Sequence, residues 1–561
     1  MRAPTQPHRA LAHARCAAAL LALGLAACSQ PVVGVDLTVV TKACDGALVD
    51  ATRNPVAGVD TLKFKISGDG LAPVTLDAKF PGDGSVRIPN LPLGTNRRIS
   101  VEARKGTSLW ARADSGKFDL LDGRDVELTL ILRVVDTFTL TGQAGGASCT
   151  KMITPRAGHA MTALPDGRVL ITGGFSLDAS NVMHYQKDAE IYDPGSGTFA
   201  LLAGAPAYRR EGHAALTVSL GAGGTGVLLA GGEGPTPEAS VSAPVRPLEL
   251  FFRGAWQLIQ PLASSPAREH HAAVVDLKTG FAVLAGGLNG PDPTLIPSAT
   301  VLDTVSYYDP QRNTVVEVDE PLALQLFDSM AVSRANLAPG GGSQGGFVLI
   351  GGRDSHGDAT AQLSGMAFSA TRNIYSRDKL WEQPALSRLP APRVRHFAAR
   401  LQDDSIVVVG GLTKTATDTY ANPTDAVTVI NPSANPPVAD LAGSNARLSR
   451  ARADGCGVLL EDGRVLYSGG AWKDAQGVHS AQVADVVTIT SGGGADVPVR
   501  TLQGPGPGST WGLQQARHRA ACLRLKDGSV LITGGLKFAS DGTGGQVTLD
   551  SAEIYVPAAA Q

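Results

Sequence analysis

A chain of 561 residues is too long for one ordinary domain and long enough for two or three. With 43% hydrophobic and 18% charged residues it can bury a large core and is not disordered, and a formal net charge of -2 gives no reason to expect a nucleic-acid partner. Gly (66) and Pro (35) recur without a collagen-like period, which suits an all-β chain of many short strands and turns.

Residues 1–27 read as an address. Arg2, Arg9 and Arg15 precede an apolar run from Ala17 to Ala27, too short for a membrane-spanning helix, which needs roughly 20 apolar residues. The run ends Leu25-Ala26-Ala27-Cys28, which resembles the lipobox of bacterial lipoprotein signal peptides. The resemblance implies cleavage before Cys28, a lipid on its sulfur, and export with Ser29 directing the protein to the outer membrane or cell surface. Contact with membrane is then through the anchor alone, since no later segment is apolar enough to cross. Residues 28–32 form a short linker.

Residues 33–143 read as a separate β-domain. Val33–Val40, Thr61–Ile66, Ser85–Ile88, Ile99–Ala103 and Val126–Val134 alternate loosely, separated by turn signals at Gly68-Asp69-Gly70, Pro81-Gly82-Asp83-Gly84 and Asp122-Gly123. Short strands at this spacing suggest a small β-sandwich. The stretches Val86–Pro92 and Arg98–Ala103 are similar to transthyretin-like and carboxypeptidase-regulatory sandwiches, and a spacer or docking role follows from that likeness.

From residue 144 to 561 the chain repeats. Seven hydrophobic strands end in a glycine pair: Gly173-Gly174, Gly231-Gly232, Gly286-Gly287, Gly351-Gly352, Gly410-Gly411, Gly469-Gly470 and Gly534-Gly535. Each has a strand before it, joined in three units by Asp166-Gly167, Asp462-Gly463 or Asp527-Gly528, which predict two-residue hairpins. A third strand follows, as in Ala189–Pro194, Ser306–Pro310, Val427–Pro432 and Ala552–Pro557, and a fourth often carries an aromatic, as at Trp256 and Trp381. The pairs recur at about 55 to 65 residues and the units resemble kelch repeats, whose period is roughly 50. The resemblance implies a seven-bladed β-propeller, because a lone four-stranded blade buries too little to stand alone. The last unit lacks a fourth strand, and the segment Ser148–Ile153 is expected to supply it.

Four cysteines remain after Cys16 and Cys28: Cys44, Cys149, Cys456 and Cys522. An even number suits an oxidising compartment and allows three pairings. Cys44 with Cys149, which bracket the first domain, and Cys456 with Cys522, at similar places in neighbouring repeats, are favoured.

A polar motif, Arg-x-x-His, recurs where the first strand of a unit begins: Arg156/His159, Arg210/His213, Arg268/His271 and Arg393/His396. Arg452 and Arg517 stand without the histidine, and the fourth unit has Phe327-Asp328-Ser329-Met330 there. Such a ring would offer a positive funnel to an anionic ligand. A feature found in most units more often serves the fold, so hydrogen bonds tying each unit to the next are the favoured role.

No catalytic constellation or cofactor site is read from the sequence. His270 and His271 are adjacent and point to opposite faces of a strand, so they do not share a metal. Kelch-type copper-radical oxidases need a tyrosine linked to a cysteine, a second tyrosine and two histidines, whereas Cys456 and Cys522 are better paired with each other, and Gly508-Ser509-Thr510-Trp511 has only the aromatic end of a sialidase Asp-box. The variable loops after the glycine pairs carry Tyr185, His184 and Trp472 as candidates. The expected function is a non-catalytic surface or periplasmic scaffold lipoprotein that engages a protein or glycan. The alternative is a secreted carbohydrate-active or copper-dependent sugar-oxidising enzyme whose site is assembled from separate units.

Overall fold

A computed structural model describes residues 32–558 apart from 42–43, 45–53, 80–84, 122–124, 144–147, 237–238, 262–263, 291–299, 334–344, 370–373, 378–387, 415–419, 431–445, 490–496, 503–511 and 540–544. The leader, Cys28, the turns at 81–84 and 122–124, Trp381 and 508–511 lie outside the described residues. What is described is all-β, with a single 3-10 turn at Gly221–Gly223. Among the described residues no helix is long and apolar enough to cross a membrane.

The N-terminal part folds as two sheets around one core. Ser85–Pro92, Val32–Val40 and Val126–Ile131 form one sheet, the last pair parallel. Leu71–Ala78, Thr61–Gly68, Gly94–Lys105, Ser108–Asp114 and Arg133–Val134 form the other. Alternation decides which residues face inward: Leu62, Phe64 and Ile66 are buried while Lys63 and Lys65 between them are exposed. They meet Val35, Leu37, Ile99 and Val101 in the core.

Seven further sheets follow among the described residues, one for each glycine pair. The first is typical: Ala160–Ala163, Val169–Thr172, Ala189–Asp193 and Thr198–Leu201, each antiparallel to the next. Its second strand is buried on both faces, and its side chains divide by period two. Val169 and Ile171 pack against Leu531 and Ile554 of the seventh unit, whereas Leu170 packs against Val227 and Leu229 of the second. The same division repeats at every neighbouring pair of units, so each interface has its own apolar cluster. Fully burying one such side chain is worth roughly 1.5–3 kcal/mol, which a lone sheet could not collect on both faces.

The glycine pairs link the units. The second glycine of each donates its N–H to the carbonyl of the residue four before the next unit's first strand. Gly174 donates to Arg210 at 2.9 Å, Gly470 to Arg517 at 2.8 Å, and Gly535 returns to Arg156 of the first unit at 2.8 Å. The conformation demands glycine: Gly174 has φ +83°, and a Cβ there would stand 2.6 Å from the Ala157 carbonyl oxygen.

Three expectations are corrected. The strand completing the seventh sheet is Thr137–Leu140, paired with Ala552–Val556, and not Ser148–Ile153. Only Val135 and Asp136 separate it from the last strand of the N-terminal part, and Asp136 turns the chain at φ 57° while accepting hydrogen bonds from the Tyr555 hydroxyl and the Ala558 N–H. The Asp-Gly turns are three-residue loops, not two: Leu164 and Arg168 still pair, and Gly167 closes the loop at φ +98°. Four variable loops are themselves hairpins, including Phe175–Leu177 with Met183–Tyr185 and Ala471–Asp474 with Gly477–Ser480. Disulfides join Cys44 to Cys149 and Cys456 to Cys522, the latter between the first strands of units six and seven.

Candidate functional site

The recurring arginines are not at the surface. Arg156, Arg210, Arg452 and Arg517 are among the most buried large side chains in the protein. Each reaches back within its own unit to the carbonyl of the first glycine of the pair: Arg156 to Gly173 at 2.9 Å, Arg210 to Gly231 at 2.9 Å, Arg452 to Gly469 at 2.8 Å, Arg517 to Gly534 at 2.7 Å. Each also pairs with a buried carboxylate on the third strand, Glu190, Glu249, Asp485 or Glu553, at 2.7–3.0 Å. Arg268 bonds the Gly286 carbonyl and the Thr304 backbone and hydroxyl, with the Glu317 carboxylate further off at 4.0 Å, and Arg393 is 2% exposed. Guanidinium groups buried this deeply and held by carbonyls and carboxylates cannot receive a ligand, so these arginines form a frame.

The histidines make the link to the neighbour. His159 Nε2 bonds the Thr533 hydroxyl of the seventh unit at 2.7 Å, and His213 Nε2 bonds Thr172 of the first at 2.9 Å. The expectation that both residue types tie one unit to the next is thus corrected: the arginine acts within its unit, the histidine across the boundary, and through a side chain. Where the preceding unit has Ala230 or Ile350 in the threonine's place, His271 and His396 have neither ring nitrogen hydrogen-bonded. Burial holds all four imidazoles neutral, with pKa values lowered to about 3.

The chemistry lies between the recurring residues. The position just before the histidine place holds Gly158, Gly212, His270, Asp328, Arg395, Asp454 and Arg519, and all seven have φ between 51° and 62°. Left-handed backbone brings them together where the first strands begin: Asp328 N–H donates to the His270 carbonyl at 2.8 Å, Asp454 to Arg395 and Arg519 to Asp454 at 3.1 Å, and Gly158 to Arg519 at 3.3 Å. With Glu211, one position earlier in its unit, they form a charged chain of alternating sign. His270 Nδ1 meets Asp328 at 2.7 Å, Arg395 meets Asp454 at 3.5 Å, and Arg519 meets Glu211 at 3.0 Å. Arg395 also acts on Asp328, Asp454 on Arg519, and Glu211 on His270, so the alternation closes on itself. Gly158 makes the closure possible, because a Cβ there would lie 2.4 Å from Glu211 Oε2.

Around this ring, Arg353 meets Asp328 at 3.2 Å, the Tyr420 hydroxyl donates to Asp454, and Tyr185 donates to Glu233 at 3.1 Å. Phe538 stacks on His518 with ring centroids 4.6 Å apart. Burial opposes charge on His270, but Asp328, Glu211 and Glu269 outweigh it and the ring's pKa is raised to about 9. The Glu269 carboxyl is pushed up to about 8 by burial and by the Glu233 carboxylate beside it. Among the described residues no three His, Cys, Asp or Glu side chains gather as metal ligands. Of the loop candidates, Tyr185 belongs to this surround. Trp472 stacks on His479 at 4.3 Å beneath Arg450, and His184 pairs with Asp178 in its own hairpin.

The other end of the array is partly covered. A cleft of about 170 Å³ there is lined both by the N-terminal part, at Arg98, Asp114 and Lys117, and by the turns carrying Asp166, Arg168 and Lys526. The charged ring lies at the opposite ends of the first strands.

No known protein family matches the chain, and no curated protein matches it. A solved structure described as "Structure of YjhT" is similar over 62% of this chain and 99% of its own at 16% identity, with a TM-score of 0.42, a likeness too loose to build on.

Sequence reasoning selected the two residues that recur and passed over the two between them. The signal was present: stacking the seven units in register gives a column reading Gly, Gly, His, Asp, Arg, Asp, Arg, in which charge alternates over five successive units.

Proposed function

We propose that this protein is a seven-bladed, kelch-type β-propeller lipoprotein, exported and anchored through Cys28, that serves as a non-catalytic scaffold and binds a protein or glycan at the open mouth of the propeller. What supports the architecture is the run of glycine-to-carbonyl hydrogen bonds from unit to unit, with Gly535 bonded to Arg156. What carries the binding role is the contrast within one short motif. Beside a frame with six buried arginines stand seven left-handed positions, and from the third unit to the seventh the side chains there alternate in charge. A frame needs sameness; a recognition surface needs difference.

The binding role is tested by immobilising the protein and screening glycans and secreted proteins, first with the wild type and then with Arg395→Asn. A partner whose retention falls in the variant supports it, and one retained equally places recognition elsewhere. For the anchor, Cys28→Ser is expected to leave the precursor unprocessed and without lipid, and globomycin to leave it uncleaved with its lipid; equal lipid labelling of the variant would reject it. A catalytic reading draws on the Glu269 carboxyl, pushed upward by burial and by Glu233 beside it, a shift suited to a general acid. Turnover of any glycoside that is lost in Glu269→Gln would favour it over the scaffold.

A further inference from the structure

The charged groups of the ring are not equally presented. His270, Arg395 and Arg519 keep 39%, 31% and 33% of their side-chain surface in solvent, whereas Asp328, Asp454 and Glu211 keep 16%, 15% and 5%. The carboxylates lie underneath and the cations above. Length accounts for part of this, since an arginine carries its charge further from the backbone than an aspartate, and Arg353, which also meets Asp328, is itself only 10% exposed.

The arrangement has two physical consequences. Each carboxylate holds its cation in place from below, so little side-chain entropy remains to be lost when something binds above. A guanidinium has five N–H donors, and Arg519 directs one nitrogen at Glu211 while the flat face lies 5.0 Å from the Phe175 ring. Arg395 makes only a long 3.5 Å contact to Asp454 and lies 5.7 Å from the Tyr420 ring. Donors therefore remain on the solvent side. The cations also repel one another, since Arg519 acts on Arg395 as a like charge. An anion spanning them removes that repulsion.

We propose that the mouth binds a polyvalent oxyanion, a ligand carrying two or more carboxylate, sulfate or phosphate groups, with His270, Arg395 and Arg519 as its direct contacts. Three cations on the third, fifth and seventh units, each separated from the next by an acid, match several acidic groups better than one. Planar forks on two of them suit two-oxygen groups. This inference rests on the binding role proposed above and names the class of ligand. Its source is either a free small polyacid or acidic groups borne on a polymer.

Calorimetric titration of the full-length, detergent-solubilised protein decides. The probes are citrate and tripolyphosphate for the free source, oligogalacturonate for the polymer-borne source, and maltoheptaose as the neutral control. At least one acidic probe is expected to bind where maltoheptaose does not, and to bind at least about tenfold more weakly to Arg395→Asn and to Arg519→Asn, the loss of one charge-assisted contact. Asparagine is chosen because it accepts φ near +50° while removing the charge. Should either variant fail to fold, the unchanged protein still tests the idea, since added sodium chloride must weaken an ionic complex by about tenfold or more across the Debye range.

Binding of citrate or tripolyphosphate alone assigns a free polyacid, and binding of oligogalacturonate alone assigns a polymer. Acidic probes that bind no better than maltoheptaose, or equally to both variants, overturn the inference. If a glycan or protein partner is found whose affinity ignores both variants and salt, the oxyanion falls while the scaffold role stands. If no partner is retained in the wider screen, the scaffold role falls with it.

Discussion

Arg452 and Arg395 are both arginines placed where a first strand begins, in adjacent units, and they live in opposite conditions. Arg452 is fully buried and bonded to Asp485 at 2.8 Å and to three backbone carbonyls, those of Gly469, Arg450 and Tyr467. Arg395 is 31% exposed, with Asp454 at 3.5 Å and Tyr420 beside it. The first belongs to a set repeated from unit to unit; the second belongs to a position where charge alternates over five successive units. In a repeat protein the recurring polar residues hold neighbours together, and departures from recurrence make one end of the array asymmetric.

The largest expected effects fall on the frame. Arg452→Ala strands Asp485 without a counter-charge in the core, and breaking a buried pair in this way costs about 3–5 kcal/mol. Arg395→Asn removes a half-exposed pair worth at most about 1 kcal/mol. Denaturant unfolding of the two variants side by side breaks the comparison if their losses are equal. Acid strikes the same frame. His213 has a folded pKa of about 3 against 6.5 unfolded. Its contribution is complete above pH 6.5 and is lost as pH falls toward 3, where only the unfolded chain binds the proton readily. A melting temperature that stays level from pH 7 to pH 4 would contradict burial of the histidines.

The next effect concerns how two units are stapled. Replacing both Cys456 and Cys522 by Ala opens a loop with a sequence separation of 66, and about 2–4 kcal/mol is expected from restoring freedom to the unfolded chain. The loss should vanish when wild type and variant are compared under reducing conditions. Smaller again is Gly174→Ala, which forces an alanine to φ +83° with its Cβ 2.6 Å from a carbonyl oxygen. Strain of about 1–3 kcal/mol follows, and a thermal shift checks it.

The sequence makes the frame legible and the mouth not, for a physical reason. Val169–Thr172 and its counterparts are buried on both faces, so they stand out as unbroken apolar runs, and the glycines after them stand out because no other residue fits against the next unit's backbone. Thr137–Leu140 hides because two residues, neither Gly nor Pro, separate it from the strand before, and because its partner lies at the far end of the chain, where Phe138 pairs with Tyr555. The mouth hides because a search for repetition discards what varies. Arg156 and His159 are conspicuous for recurring, while Gly158 between them, whose missing side chain lets Glu211 reach Arg519, looks like a spacer.

The smallest effect separates frame from mouth most sharply, because the same residue type titrates in opposite senses at the two places. His270 is held as a cation, its pKa raised to about 9 by Asp328, Glu211 and Glu269 against the cost of burial. Its ion pair therefore contributes fully below pH 6.5 and is lost as pH rises through 9, the reverse of His213. With 39% of the side chain in solvent, screening keeps the contribution below about 1 kcal/mol, so unfolding alone is a blunt probe. Proton NMR of the imidazole is the direct one. A titration midpoint near 9 that returns toward 6.5 in Asp328→Asn places the alternating ring as described. A midpoint below 7 in the unchanged protein would mean that the acids beneath His270 do not govern it, and the mouth would then lose one of its three cations at neutral pH.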